Sequence, residues 1–170
     1  GDIAEYRKFL IDEYEISKEA FRKTRKLVES NYVSMNADVA RLIMDKATTA
    51  ALGGIVAIDH YVKTSDQLVD DVKEIHKASG GKIVLAEFGA PIPNINGVMS
   101  DAEQAKWIHD TLEALLSLPE LVGINYWVNV GGSTELWTEK GREKSAVSAL
   151  TVFYKPNIIS GFVEDELGKP

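Results

Sequence analysis

Residues 82–91 read KIVLAEFGAP: an apolar run, then one carboxylate, an aromatic, a glycine and a proline. The run from Ile83 to Ala86 lacks polar alternation, the pattern of a parallel strand covered on both faces. Glu87 closes that run, where a charge has no place in a buried strand. The segments on either side decide what kind of sheet the strand belongs to and what the carboxylate is for.

Upstream, SDQLVDDVKEIHKAS (65–79) has helical periodicity, opened by Thr64 or Ser65 as cap and stopped by Gly80-Gly81. Before it, IVAIDHY (55–61) reads as another strand. Further back, YVSMNAD (32–38) is a short strand-like run. It leads into a helical pattern at Val39, Leu42, Ile43 and Ala47 that ends at Gly53-Gly54. Residues 4–30 predict a long amphipathic helix with a break near Glu15–Ser17.

Downstream, a loop with Pro91, Pro93, Asn94, Asn96 and Gly97 leads to Ser100, which with Glu103 has the spacing of a capping box. The helix it opens runs through Trp107, Ile108, Leu112, Leu115 and Leu116 to Pro119. LVGINYWV (121–128) is the next strand, 129–142 a loop, and 143–154 a last helix halted by Pro156. Strands alternating with helices of this length predict an α/β fold of parallel βα repeats. The expected organisation is a single domain over 1–170 with a polar tail at 156–170.

The strands end in polar or aromatic residues: Asn36 and Asp38; Asp59, His60 and Tyr61; Glu87; and Asn125 to Asn129. Their carboxyl ends therefore make one polar rim, the place where parallel βα folds bind ligands. Four strands suffice for a small doubly wound sheet, whereas a full (β/α)8 barrel takes eight strands and about 250 residues. A leading helix in a βα repeat has lost the strand before it, so an amino-terminal portion is expected to be missing.

Composition narrows the partners. The 170 residues are 45% apolar and 26% charged, enough to bury one sizeable core. A formal net charge of −7 disfavours nucleic acid and anionic membrane surfaces, both of which need clustered Lys and Arg. No apolar stretch approaches a membrane span. The absence of cysteine excludes disulfides and thiolate metal sites and leaves secreted and cytosolic homes equally open. The three histidines are scattered, and phosphate-loop, dinucleotide, zinc-protease and serine-hydrolase motifs are lacking, so neither metal nor cofactor is expected.

The segments VLAEFGAP (84–91), INYWVN (124–129) and IDHYV (58–62) resemble the carboxyl-terminal half of a retaining glycoside hydrolase of clan A. That clan has a (β/α)8 TIM barrel with its acid/base Glu at the end of strand four and its nucleophilic Glu at the end of strand seven. On this resemblance the chain is half of such a barrel: residues 4–30 are helix four, and the strands at 32–36, 55–60, 82–87 and 121–128 are strands five to eight. The resemblance spans roughly residues 4–156. It implies Glu87 as nucleophile, His60 and Tyr61 as contacts to the nucleophile or the sugar, and Trp127 as the platform beneath the sugar. It also exposes a departure, because no Asn-Glu pair stands where the acid/base belongs. The implied function is hydrolysis of a β-linked glycan by a fragment bearing the nucleophile. The implied partners are a carbohydrate and an amino-terminal half barrel, or a second copy covering the open edges.

The residues themselves support this chemistry in part. Retention needs two carboxyl groups about 5–5.5 Å apart, one as nucleophile and one as acid and base, so Glu87 alone cannot complete the reaction. By strand parity Glu87 shares a face with Ile83 and Leu85, and is expected to top a column of barrel-interior residues while Ala86 packs toward the helices. A neighbouring Tyr or His orients such a carboxylate. A flat indole suits the apolar C–H face of a sugar, which Trp127 supplies and Trp137 in the next loop extends. Asn36 and Asn129 are candidate hydroxyl binders. Taken alone, Glu87 reads as a solvated charge and His60 as a structural histidine; their coincidence on one rim with Tyr61 and Trp127 favours a site. The rival reading is a βα domain that binds carbohydrate or another small ligand without catalysis.

Overall fold

The computed structural model describes residues 2–24 and 35–155. Eleven elements follow in order: α1 (Ile3–Lys23), β1 (Met35–Asn36), α2 (Ala37–Ile43), α3 (Lys46–Ala51), β2 (Ile55–Asp59), α4 (Ser65–Ser79), β3 (Lys82–Phe88), α5 (Pro93–Asn96), α6 (Asp101–Leu115), β4 (Leu121–Tyr126) and α7 (Ser145–Tyr154). The strands form one parallel sheet in the order β1-β2-β3-β4. Each crossover carries helix, and the helices pack consecutively: α2 on α4, α4 on α6, α6 on α7. The architecture is a partial TIM-barrel-like α/β domain, with the parallel strands that the βα repeat predicts and the barrel form that the resemblance implies.

Local chemistry explains most of the boundaries. Thr64 caps α4 by accepting from the Gln67 amide, and left-handed Gly80 ends it. Ser100 and Glu103 close a complete capping box at the start of α6. Two expectations fail. α1 is continuous through Glu15–Ser17, where Lys18 pairs with Glu15 one turn back on a solvated face. The helix expected from Val39 to Gly53 is two helices, because Asp45 leaves the helical path to cap α3 at the Thr48 amide. Asp38 belongs to the first turn of α2, paired with Arg41, rather than to a strand. Residues 25–34 and the tail at 156–170 lie outside the described residues.

One core lies between sheet and helices. Val56 and Ile58 of β2 and Ile83, Leu85 and Phe88 of β3 are fully covered there with Leu68, Val72, Ile75, Ile108 and Leu112. The alternate residues Ile55, Ala57 and Asp59, and Val84 and Ala86, remain partly exposed on the opposite, open face. The expected parity of β3 is thus reversed: Ile83 and Leu85 face the helices, and Val84 and Ala86 face away from them. At the edge of β4, which pairs with no further strand among the described residues, Leu112, Leu115, Leu118, Leu121, Ile124 and Phe153 contribute to an apolar groove of about 470 Å³.

Candidate active site

With Leu85 toward the helices, regular alternation would bury Glu87 there too. A register slip prevents this. Ile58 pairs with Leu85, but the next residue, Asp59, pairs with Glu87; on the other side Leu85 pairs with Ile124 and Phe88 with Tyr126. Against both neighbours β3 carries one extra residue, a β-bulge at Ala86–Glu87 that re-aims the side chain. Glu87 takes the place Ala86 would have held, on the open face beside Asp59. Phe88 returns to the core, its ring edge-on to Tyr126 at 5.5 Å.

Tyr61, two residues past the end of β2, donates its hydroxyl to Glu87 Oε2 at 2.8 Å. Burial, then the bond to Glu87 and the negative charges of Glu87 and Asp59, push the Tyr61 phenol well above its ordinary range. It therefore stays protonated and donating at any ordinary pH.

His60 does not join this pair. Its backbone amide donates to the Glu87 carbonyl at 2.9 Å, but its ring turns toward the helices and pairs through Nε2 with Asp71 Oδ2 at 2.7 Å. Asp71 also takes Arg41, which holds Glu74 and Asp38 as well. Consecutive residues leaving a strand point to opposite sides, so one of His60 and Tyr61 can face Glu87 while the other cannot.

Trp127 follows β4 with its amide bonded to the Phe88 carbonyl and is 47% exposed, whereas Tyr126 packs against the core. Its carbonyl explains the glycine after Glu87 and Phe88. A Cβ on Gly89 would stand 2.5 Å from Trp127 O, so only glycine lets the ends of β3 and β4 approach this closely. Asn36 is exposed at the end of β1 and pairs in register with Asp59. Asn129 and Trp137 are gathered elsewhere: with Asn125, Tyr126, Val147 and Leu150 they line a pocket of about 260 Å³ against α7 that does not include Glu87 or Tyr61.

Three contributors escape the sequence reading. Asp59 reads there as a rim charge, yet it stands beside Glu87. Gln104 is fully buried and donates to the carbonyls of Ala90, Thr134 and Glu135 and to the Tyr126 hydroxyl, tying α6 to both site loops. Its place on the apolar stripe of α6, four residues before Ile108, was the available signal. Asn96 bonds the Ile92 amide and the Val62 carbonyl, pinning the loop after β3 to the one after β2. Among the described residues no group of three or more His, Asp or Glu side chains is arranged to hold a metal ion, and no helix is long and apolar enough to cross a membrane.

Neither a family model nor a curated protein matches the sequence. Solved structures do match its fold. A β-glucuronidase from Ruminococcus gnavus aligns with TM-score 0.54 at 13% identity, over 75% of this chain and 26% of that one. An exo-β-1,3-glucanase from Aureobasidium namibiae aligns with TM-score 0.52 at 13% identity, over 68% of this chain and 49% of that one. The chain has a glycoside-hydrolase-like fold. A β-glucuronidase from an uncultured Clostridium gives TM-score 0.51 at 16% identity, over 72% of this chain and 25% of that one. The chain thus spans about a quarter of the two glucuronidases and about half of the glucanase.

Proposed function

We propose that this chain is the carboxyl-terminal half of a retaining β-glycosidase barrel of clan A, with β1 to β4 as barrel strands five to eight and Glu87 as the nucleophile. The observation that carries the reading is the Glu87–Tyr61 pair: a bulge lifts Glu87 out of the core face, and a tyrosine from the neighbouring strand end holds one of its oxygens at 2.8 Å. The other carboxyl oxygen is left to attack. Glu87 displaces the leaving-group oxygen from the anomeric carbon and forms a glycosyl ester, which water then hydrolyses to restore the carboxylate. Tyr61 fixes the attacking geometry, and exposed Trp127 stacks on the sugar.

The proton for the leaving group, and its removal from the attacking water, fall to a second carboxyl group about 5–5.5 Å away. On this reading that group is a Glu of the amino-terminal half of the barrel, carried by the same gene product or by a separate chain. The edge of β4, left without a strand partner among the described residues, and its apolar groove support such a complement.

Azide rescue of a Glu87→Gly variant tests the reading. In the complete barrel the variant is inactive on aryl β-glycosides, and azide restores aryl release by attacking the anomeric carbon from the vacated side, yielding the α-glycosyl azide. Full activity in Glu87→Gly, or rescue giving no glycosyl azide, contradicts it.

A further inference from the structure

Asp59 ends β2 in register with Glu87 on one side and with Asn36 on the other. The three residues stand in one row across the carboxyl ends of three adjacent parallel strands. Asp59 continues the alternation of Ile55 and Ala57, so it faces the open side, where the bulge also brings Glu87. Its Oδ1 is buried and receives no hydrogen bond from the described residues.

A buried carboxylate oxygen without a donor is costly, and folded proteins seldom leave one. Three other aspartates are provided for. Asp71 takes His60 and Arg41, Asp45 takes the Thr48 amide and Arg7, and Asp101 takes Arg142. Among the described residues neither Asp59 nor Glu87 belongs to an ion pair. The Tyr61 hydroxyl offers no remedy, since its single proton is committed to Glu87. No described residue supplies the donor, and a bound molecule can bring one.

We propose that Asp59 accepts a hydrogen bond from a hydroxyl of the bound sugar, and that with Glu87 beside it the site selects a neutral sugar over one carrying a carboxylate. The assignment rests on the glycosidase reading. A sugar hydroxyl is both a donor and uncharged, which answers the orphan oxygen without adding charge. A carboxylated ring would set a third negative group beside two that have no cation among the described residues.

Thermal midpoints of the complete barrel, wild type and with Asp59→Asn or Glu87→Gln, test this, each alone and with methyl β-glucoside, methyl β-galactoside or their C6-carboxylate counterparts. Asn keeps the shape of Asp59 and removes the buried charge, so Asp59→Asn alone raises the midpoint, as relief of a binding residue does and loss of a structural acceptor does not. A neutral sugar raises the wild-type midpoint more than its carboxylate counterpart, and Asp59→Asn weakens the neutral sugar's apparent affinity by about ten- to a hundred-fold. A lower midpoint in unliganded Asp59→Asn overturns the proposal. So does neutral-sugar binding indifferent to Asp59, or carboxylated-sugar binding as tight as neutral, both of which leave the glycosidase reading standing. If none of the sugars moves the midpoint of wild type or Glu87→Gln, the assignment and the glycosidase reading fall together.

Discussion

His60 and Tyr61 are neighbours in the chain and opposites in circumstance. His60 turns under the sheet into a closed network in which Asp71 and Arg41 find opposite charges, and Arg41 serves three carboxylates at once. Tyr61 turns over the rim onto Glu87, beside Asp59, where Glu87 takes the one hydroxyl and, among the described residues, the buried Asp59 Oδ1 has no donor. The first region is satisfied and therefore structural. The second is left incomplete, which proteins do where something else is to bind.

The contrast is sharpened by changing each residue in turn. Tyr61→Phe removes the bond that orients Glu87 while keeping the ring. In the complete enzyme it is expected to cost on the order of a hundred-fold in kcat, about 2.7 kcal/mol, with little change in thermal stability. An unchanged kcat would dissolve the distinction. Gly89→Ala forces a Cβ against the Trp127 carbonyl that can be relieved only by parting the ends of β3 and β4. It should lower stability by about 1–3 kcal/mol in denaturant melts and impair the site as well.

His60→Ala is the mirror image of Tyr61→Phe. Removing the ring leaves Asp71 without one of its two partners, at an expected cost of about 1–2 kcal/mol in stability. Turnover per folded molecule should hold, because no side-chain contact joins His60 to Glu87. A smaller effect is expected in alkali. Burial pushes the Tyr126 phenol up to about 12, so its contribution to stability is complete below the unfolded value near pH 10 and is lost as pH rises through about 12. In Tyr126→Phe that alkaline loss should shrink, though not vanish, because Tyr61 is raised in the same direction.

The same pair of residues marks how far the sequence could be read. Apolar runs, caps and the Gly80-Gly81 stop locate β2, α4, β3, α6 and β4, since each signal is local and each element forms where its own residues favour it. Alternation also places Tyr126 in the core and Trp127 outside it. Alternation misleads at Glu87, because a bulge is a property of three strands in register and leaves no mark in the apolar run of one. Read with regular parity, Ile83 and Leu85 become companions of the carboxylate, when in fact they lie beneath the helices. His60 and Tyr61 both read as rim residues, and only the position of Asp71 on α4 decides which of them turns away. Trp137 and Asn129 lie in a loop whose path depends on Gln104 and Tyr126, so their separation from Glu87 could not be foreseen from spacing. Asn36, by contrast, does stand in line with Asp59, and the rim reading located it.

In the proposed reaction Glu87 forms the covalent bond to the sugar. The most direct measurement is intact-mass and peptide mass spectrometry of the complete enzyme after incubation with 2-deoxy-2-fluoro β-glycosyl fluorides, which slow hydrolysis of a glycosyl ester more than its formation. One fluoroglycosyl adduct per barrel is expected, located on Glu87 and absent from Glu87→Gln. A barrel that turns over aryl glycosides yet carries its adduct on another residue, or forms none, would contradict it.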